Sequence, residues 1–408
     1  MLPWGWMGAM AAPLDVETLR ADTPGCQVVT HLNNAGSALP PAIVTETVIE
    51  HLRREELMGG YEAQEAAADR IEDARASAAT LVGGRPDQIA LLESATSAWD
   101  RALTSIAFTR PLDSGDRILV SSAEYASNVL PLMQLSMRFG ARLEFVPDDE
   151  HGCIDVEAFT DMLDTDVAIV SVNHCPSQNG LVNDVAGIGA ALRETDTWYL
   201  VDACQSLGQL PVDAGAIGAD FVSATGRKFL RGPRGTGFLY ASDEALDELE
   251  PFPLDLHSGT WQSGGYDVQR TAARFEYWEK SYAALLGMGA AIDYALDLGV
   301  AAIAERIADL ADHARDGLRD IPGVQVHDRG LRQSGIVTFT RDGVAPAGLA
   351  AGVRAAGVNV SLSTPEYSRR DFDLHQLDGV VRASPHVYNT MEEIDRLLVA
   401  VASVRPGG

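Results

Sequence analysis

Short apolar runs alternate with longer stretches of helical period through the first half of the chain. The runs RILVSS at 117–122, DVAIVSVN at 166–173 and WYLVD at 198–202 are rich in Val, Ile and Leu and read as buried parallel strands. DFVSA at 220–224 and GFLYA at 237–241 read the same way. Between the first three lie helical patterns at 127–139 and 185–194, and two more helices are expected at 42–54 and 62–81. Pro40 and Pro41 stand where a helix start tolerates a missing N–H. Strand, helix and strand in alternation predict an α/β sheet with helices on both faces.

After about Pro251 the pattern changes. The loop HSGTWQSGG leads into helical stretches at 281–298 and 301–318, then a strand GIVTFTR at 335–341, and a last helix at 391–401. This predicts a large domain at 26–262 and a smaller α+β domain at 263–408, with residues 1–25 packing on the smaller one. A length of 408 residues agrees with two units, since a single core stops growing near about 250–300 residues.

Composition narrows the classes. Hydrophobic residues make up 46% and charged residues 22%, which excludes disorder and collagen. Lys and Arg number 31 against 58 Asp and Glu, a net charge of −27. Such a chain repels phosphate backbones and anionic lipid, so neither nucleic acid nor a membrane is an expected partner. Four cysteines, none in a CxxC pair, make neither a disulfide framework nor a thiolate zinc site. The nine histidines lack HExxH or similar spacing, so no metal is expected. The start MLPWGWMGAM is apolar without a basic stretch and soon reaches Asp15 and Glu17, which reads as a loose terminus and not a secretion signal. No run approaches the ~18 apolar residues that span a bilayer, and a cytoplasmic protein is expected.

Three features fall at expected C-terminal edges of strands, where open α/β sheets bind ligands. Asp202 ends WYLVD; Lys228 lies in SATGRKFLRGPRGTGFLY; the turn ESATSAW at 93–99 opens a helix after the strand IALL. A lysine, an acid and an amide-rich helix start together suit pyridoxal phosphate, which needs an imine-forming amine, a carboxylate facing its ring nitrogen and a phosphate site. Plainer readings exist for each: a solvated lysine, and helix caps at Asp202 and in ESAT.

The set ESAT, VDACQS, TGRKFLRGPRGTGFLY and VRASPHVYNTMEEIDRL, in this order, resembles the class V, cysteine-desulfurase-like aminotransferase-fold enzymes over nearly the whole chain. The resemblance implies fold type I (aspartate aminotransferase-like), with a mostly parallel sheet of the seven-stranded type in the large domain, and pyridoxal 5'-phosphate as cofactor. It makes Lys228 the imine-forming lysine and acid/base, Asp202 the partner of the ring nitrogen, and Gln205 the partner of the ring oxygen. Ala95, Thr96, Thr225 and Arg227 would bind the phosphate, and Ser177 would lie near the ring oxygen. Arg382 would grip the substrate carboxylate, with Asn34 near the substrate. The stretch AEYASN departs from the family's Glu-His-His. Ala126 takes the position of the ring-stacking histidine, with the neighbouring Tyr125 as candidate cover for the ring.

Sulfur chemistry shows the largest departure. A desulfurase carries a cysteine on a loop before the carboxylate-binding arginine, and here that loop reads SLSTPEYSRRDFD, with no cysteine after Cys204. Several segments also resemble ergothioneine-pathway C–S lyases, isopenicillin-epimerase-like proteins and lincosamide-pathway enzymes. The expected activity is therefore β-elimination from a cysteine S-conjugate or its sulfoxide to a thiol or sulfenate, pyruvate and ammonia, and not persulfide formation. The alternatives are decarboxylation coupled to oxidative deamination of such a conjugate, epimerase-like or aminotransferase activity, and a regulatory protein that has lost its chemistry. The resemblance also implies a homodimer with shared sites, the loop 257–265 being the candidate crossing segment.

Overall fold

The apolar runs form strands because each is long enough to pair and too short and β-branched to make a stable helix. In the computed structural model, which describes residues 14–405, six such runs and the edge strand RLEF, which the pattern did not mark, build one sheet: β1 (Ile89–Leu92), β2 (Arg117–Val120), β3 (Arg142–Phe145), β4 (Val167–Asn173), β5 (Trp198–Asp202), β6 (Phe221–Thr225) and β7 (Gly237–Ala241). The spatial order is β1-β7-β6-β5-β4-β2-β3, with only β7 antiparallel to its neighbours. Strands β1, β2, β4, β5 and β7 are buried at every position, as a sheet covered on both faces requires. Residues 1–13, half of the segment 1–25 expected to pack on the smaller unit, lie outside the described residues.

The edge strand β1 has backbone groups that no further strand satisfies, and a buried ion pair takes that role. Arg75 donates to the Ile89 carbonyl at 2.7 Å, and the Leu91 N–H donates to Glu276 at 2.8 Å. Glu276 is fully buried and also meets Arg75, Lys280 and, at 3.1 Å, His257. Burial alone would raise its pKa, but His257, Arg75 and Lys280 outweigh burial and hold the carboxyl well below the usual range. Glu276→Gln is expected to cost about 3–5 kcal/mol, because Lys280 loses its counter-charge and Arg75 keeps only the exposed Glu72. A carboxyl with a depressed folded pKa contributes its stability above the unfolded value of about 4.3 and loses it as pH falls further. Urea unfolding of both proteins at pH 7 and at pH 3 checks this: the gap is expected to be narrower at pH 3, since the contribution is fully lost only as pH falls through the depressed folded pKa.

A second sheet is wholly antiparallel. It consists of β8 (Val324–Val326), β9 (Val337–Arg341), β10 (Ser361–Ser363) and β11 (Val380–Ala383) in the order β8-β9-β11-β10. Leu310, Leu318, Phe339, Val353, Val381 and Leu397 are among the residues packed between it and its helices. Thr30–His31 joins this unit by pairing in parallel with Val358–Asn359. The helix Tyr282–Leu298 packs instead on Ala42–Met58 and Ala68–Leu81, and its Leu285, Met288 and Ile292 belong to the large sheet's core. Among the described residues no single helix is long and apolar enough to cross a membrane; Tyr282–Leu298 and Val300–Arg319 pass such a test only together, and they are bent by 82°.

Candidate active site

The chemistry-bearing residues meet at the C-terminal edge of the large sheet. Asp202 ends β5 opposite Asn173 of β4, Thr225 ends β6, and the turn after β1 starts the helix Ala95–Thr109. Strand β7 begins against that turn: a Cβ on Gly237 would lie 2.6 Å from the Ser94 carbonyl carbon and 2.8 Å from the Ala95 nitrogen, so only glycine allows the approach. A cavity of about 560 Å³ lies elsewhere, at the opposite ends of β5 and β6 beside Trp198 and Asp220, away from all of these groups.

Asp202 is buried and held by two donors, Asn128 Nδ2 at 3.0 Å on one oxygen and the Cys204 N–H at 2.8 Å on the other. Lys228 follows β6 and makes no ion pair among the described residues. Burial lowers its ammonium pKa, and the charges of Arg227 and Arg382 add to this against the opposing pull of Cys204 and Asp202. Its Nζ lies 6.0 Å from the centroid of the Tyr125 ring. Gly208, at φ +88°, lets the turn after Gln205 rest on the chain just beyond the lysine, where a Cβ would come within 2.3 Å of the Phe229 carbonyl. Gln205 donates from Nε2 to the Ala35 carbonyl at 3.0 Å and leaves its buried Oε1 without a partner.

At the helix start, Ser94 caps the Ser97 N–H at 3.0 Å, and the amides of Ala95 and Thr96 are left free for an anion. Thr225 and Arg227 both precede Lys228 in sequence; the Arg227 guanidinium donates to the Gly36 carbonyl. Tyr125 precedes the helix Ala126–Phe139 and lies parallel to Tyr367, ring centroids 6.5 Å apart. Tyr125, and not Ala126, thus presents an aromatic face over Lys228.

Arg382 projects from β11 with 7% exposure. It donates to the Ser177 carbonyl at 2.9 Å and to Asn33 Oδ1 at 3.5 Å, and its Nε has no partner. Burial pushes its pKa down to about 10, against Tyr125 and Tyr367 and with the help of Arg227. Asn34, expected near the substrate, is turned away. Its amide donates to the Ser384 carbonyl at 2.7 Å and its oxygen accepts from the Tyr388 hydroxyl, so Asn33 is the asparagine that faces Arg382. The loop that follows β10 is tied to the large unit: Ser368 Oγ donates to the Glu124 carbonyl at 3.0 Å, and Asp371 accepts from Gln178, Asn179 and Arg329. Glu124, Asn128, Asn33 and Tyr367 are site residues that sequence reasoning missed.

The donor set fits pyridoxal phosphate: an amine without an ion pair, a carboxylate with both oxygens fixed, an orphaned amide oxygen and free helix amides. The fold and site define a fold type I pyridoxal phosphate enzyme. The Aminotransferase class-V family model matches residues 30–397, and the chain belongs to that family. It is 31% identical over 93% of its length to 96% of a probable cysteine desulfurase of Methanothermobacter thermautotrophicus. It is 28% identical over 94% of its length to 96% of one from Pyrococcus abyssi. The apo structure of the cysteine desulfurase from Thermococcus onnurineus NA1 superposes with a TM-score of 0.88 at 25% identity, covering 96% of this chain and 98% of that one.

These relatives overturn the expectation of S-conjugate β-elimination and its exclusion of persulfide formation. The exclusion rested on the missing loop cysteine. Attack on a substrate sulfur needs a thiol, but nothing requires that thiol to belong to the loop after β10. The family is shown by these matches; the narrower likeness to ergothioneine- and lincosamide-pathway enzymes is no part of them.

Proposed function

We propose that the protein removes sulfur from L-cysteine, passing it to a thiol as a persulfide and leaving alanine. The observation that carries this reading is the buried Arg382, without a counter-charge beside Lys228 and Asp202, in a chain whose relatives are named cysteine desulfurases. The substrate carboxylate supplies the missing charge and a partner for Nε. Bound pyridoxal phosphate supplies an electron sink for the bond broken at Cα. Ala95, Thr96, Thr225 and Arg227 hold its phosphate, Asp202 its ring nitrogen, and Gln205, with Ser177 nearby, the ring oxygen.

Lys228, shifted toward its neutral form by burial, takes the proton from the substrate Cα. The thiol sulfur then bonds to the cysteine sulfur, the C–S bond breaks with its electron pair left on Cβ, Cβ takes up the proton the thiol gives up, and Lys228 returns a proton to Cα. Cysteine and a thiol give alanine and a persulfide, with no external oxidant. Burial pushes the thiol of each of the four cysteines up, which disfavours the thiolate, and the acceptor in this reading is a thiol from solution. Holoprotein given L-cysteine and dithiothreitol is expected to release alanine and sulfide in equal amounts. Pyruvate in place of alanine would overturn the proposal.

The working form is a homodimer. The hairpin Gly259–Gln262 with Gly265–Val268 carries Trp261 at 90% exposure beside exposed Leu256 and Tyr266, an apolar surface that a second copy would cover. Sedimentation of Trp261→Ser protein is expected to show a shift toward monomer.

A further inference from the structure

Asn128 lies in the first turn of the helix Ala126–Phe139, and its side-chain nitrogen has two hydrogens. Both go to carboxyl groups: Glu124 Oε1 at 2.8 Å and Asp202 Oδ2 at 3.0 Å. Glu124 is itself buried. Its Oε1 also accepts the Tyr125 N–H at 3.1 Å, and its Oε2 lies 3.3 Å from Ser121 Oγ and 3.4 Å from Ser171 Oγ. No cation pairs with it among the described residues. The groups that face it are Asp202 from β5, Ser121 beyond β2, Ser171 from β4 and Tyr125 of its own turn. Burial first, and the charge of Asp202 second, push Glu124 up to about 7.

This arrangement does more than stabilise a helix start. An aspartate at a strand end can rotate about its last torsion, and only donors on both oxygens fix the plane of its carboxylate. Asp202 has one such donor from the backbone, at Cys204, and one from a side chain, at Asn128. Asn128 is oriented in turn by Glu124, which accepts its second hydrogen.

We propose that Asn128, oriented by Glu124, is a positioning residue that holds the Asp202 carboxylate in the plane where it meets the cofactor's ring nitrogen. The inference rests on the reading of Asp202 as the ring-nitrogen partner. It assigns the AEYASN segment a second task beside presenting Tyr125, and it makes the buried glutamate part of the cofactor site.

The test is a pH titration of the visible absorbance of the bound cofactor, read with kcat and KM for cysteine. Asn128→Ala is expected to move the spectral midpoint by about one pH unit and to lower kcat roughly 10–100-fold, with KM changed less than about threefold. Glu124→Leu is expected to do the same, and Glu124→Gln, which keeps an acceptor for Asn128, to recover most of the loss. If Asn128→Ala does not fold, the two Glu124 variants decide. Asp202→Asn is the control: a spectrum that it leaves unmoved sinks the reading of Asp202 itself. A spectrum moved by Asp202→Asn but not by Asn128→Ala or Glu124→Leu overturns this inference alone.

Discussion

Lys228→Ala protein is expected to lose turnover by about 10⁴-fold, the upper range for removing one general acid–base group, and borohydride is expected to fix no coenzyme mass to the chain. The lysine's surroundings are the reason. It follows the end of β6, faces the Tyr125 ring and makes no ion pair among the described residues. Burial favours the neutral amine over the ammonium, and Arg227 and Arg382 push the same way. Among the described residues no other amine lies in the cleft: Lys280 is committed to the Glu276 carboxylate behind β1. Because the loss is chemical and not structural, the variant is expected to unfold at the native urea concentration, and a small added primary amine is expected to return part of the activity. Undiminished alanine formation by Lys228→Ala protein would end the account of the site.

How far the sequence showed this structure follows from how local each signal is. Strands β2, β4, β5, β6 and β7 are apolar runs buried on both faces, so their own composition marks them. Strand β3, RLEF, passed unnoticed because it is an edge strand: Arg142 points to solvent and Glu144 pairs with Arg117. Asp202 and Lys228 were legible because strand ends in an α/β sheet lie on one edge, so two residues far apart in sequence converge by topology alone. Asn34 and Asn33 were not separable, since the choice between them depends on a hydrogen bond from Tyr388 more than 350 positions away. Glu124 and Asn128 form an i,i+4 pair whose meaning appears only when β5 brings Asp202 beside it. The exclusion of persulfide formation was misjudged for a similar reason: the absence of a cysteine from one loop says nothing about thiols that lie elsewhere.

Arg382→Ala is expected to cost about 2–4 kcal/mol of substrate binding, a KM for cysteine raised roughly 30–1000-fold with kcat much less affected. The guanidinium is fixed before any substrate arrives. It sits on β11 between Thr338 of β9 and Ser361 of β10, and the Ser177 carbonyl holds Nη1. What it lacks is an anion: Nε has no partner, and burial lowers its pKa to about 10, a penalty that a bound carboxylate relieves. Arg382→Lys is expected to recover only part of the loss, because a point charge cannot occupy the Ser177, Asn33 and Nε directions together. Cysteamine, which has the amine and thiol of cysteine but no carboxylate, isolates the contact. Native protein is expected to prefer cysteine by a factor close to the loss seen in Arg382→Ala, and the Ala protein to treat the two thiols alike. A preference for cysteine that survives the substitution undiminished would mean that the carboxylate binds elsewhere, and the buried guanidinium would then need another anion to explain its place at the cleft.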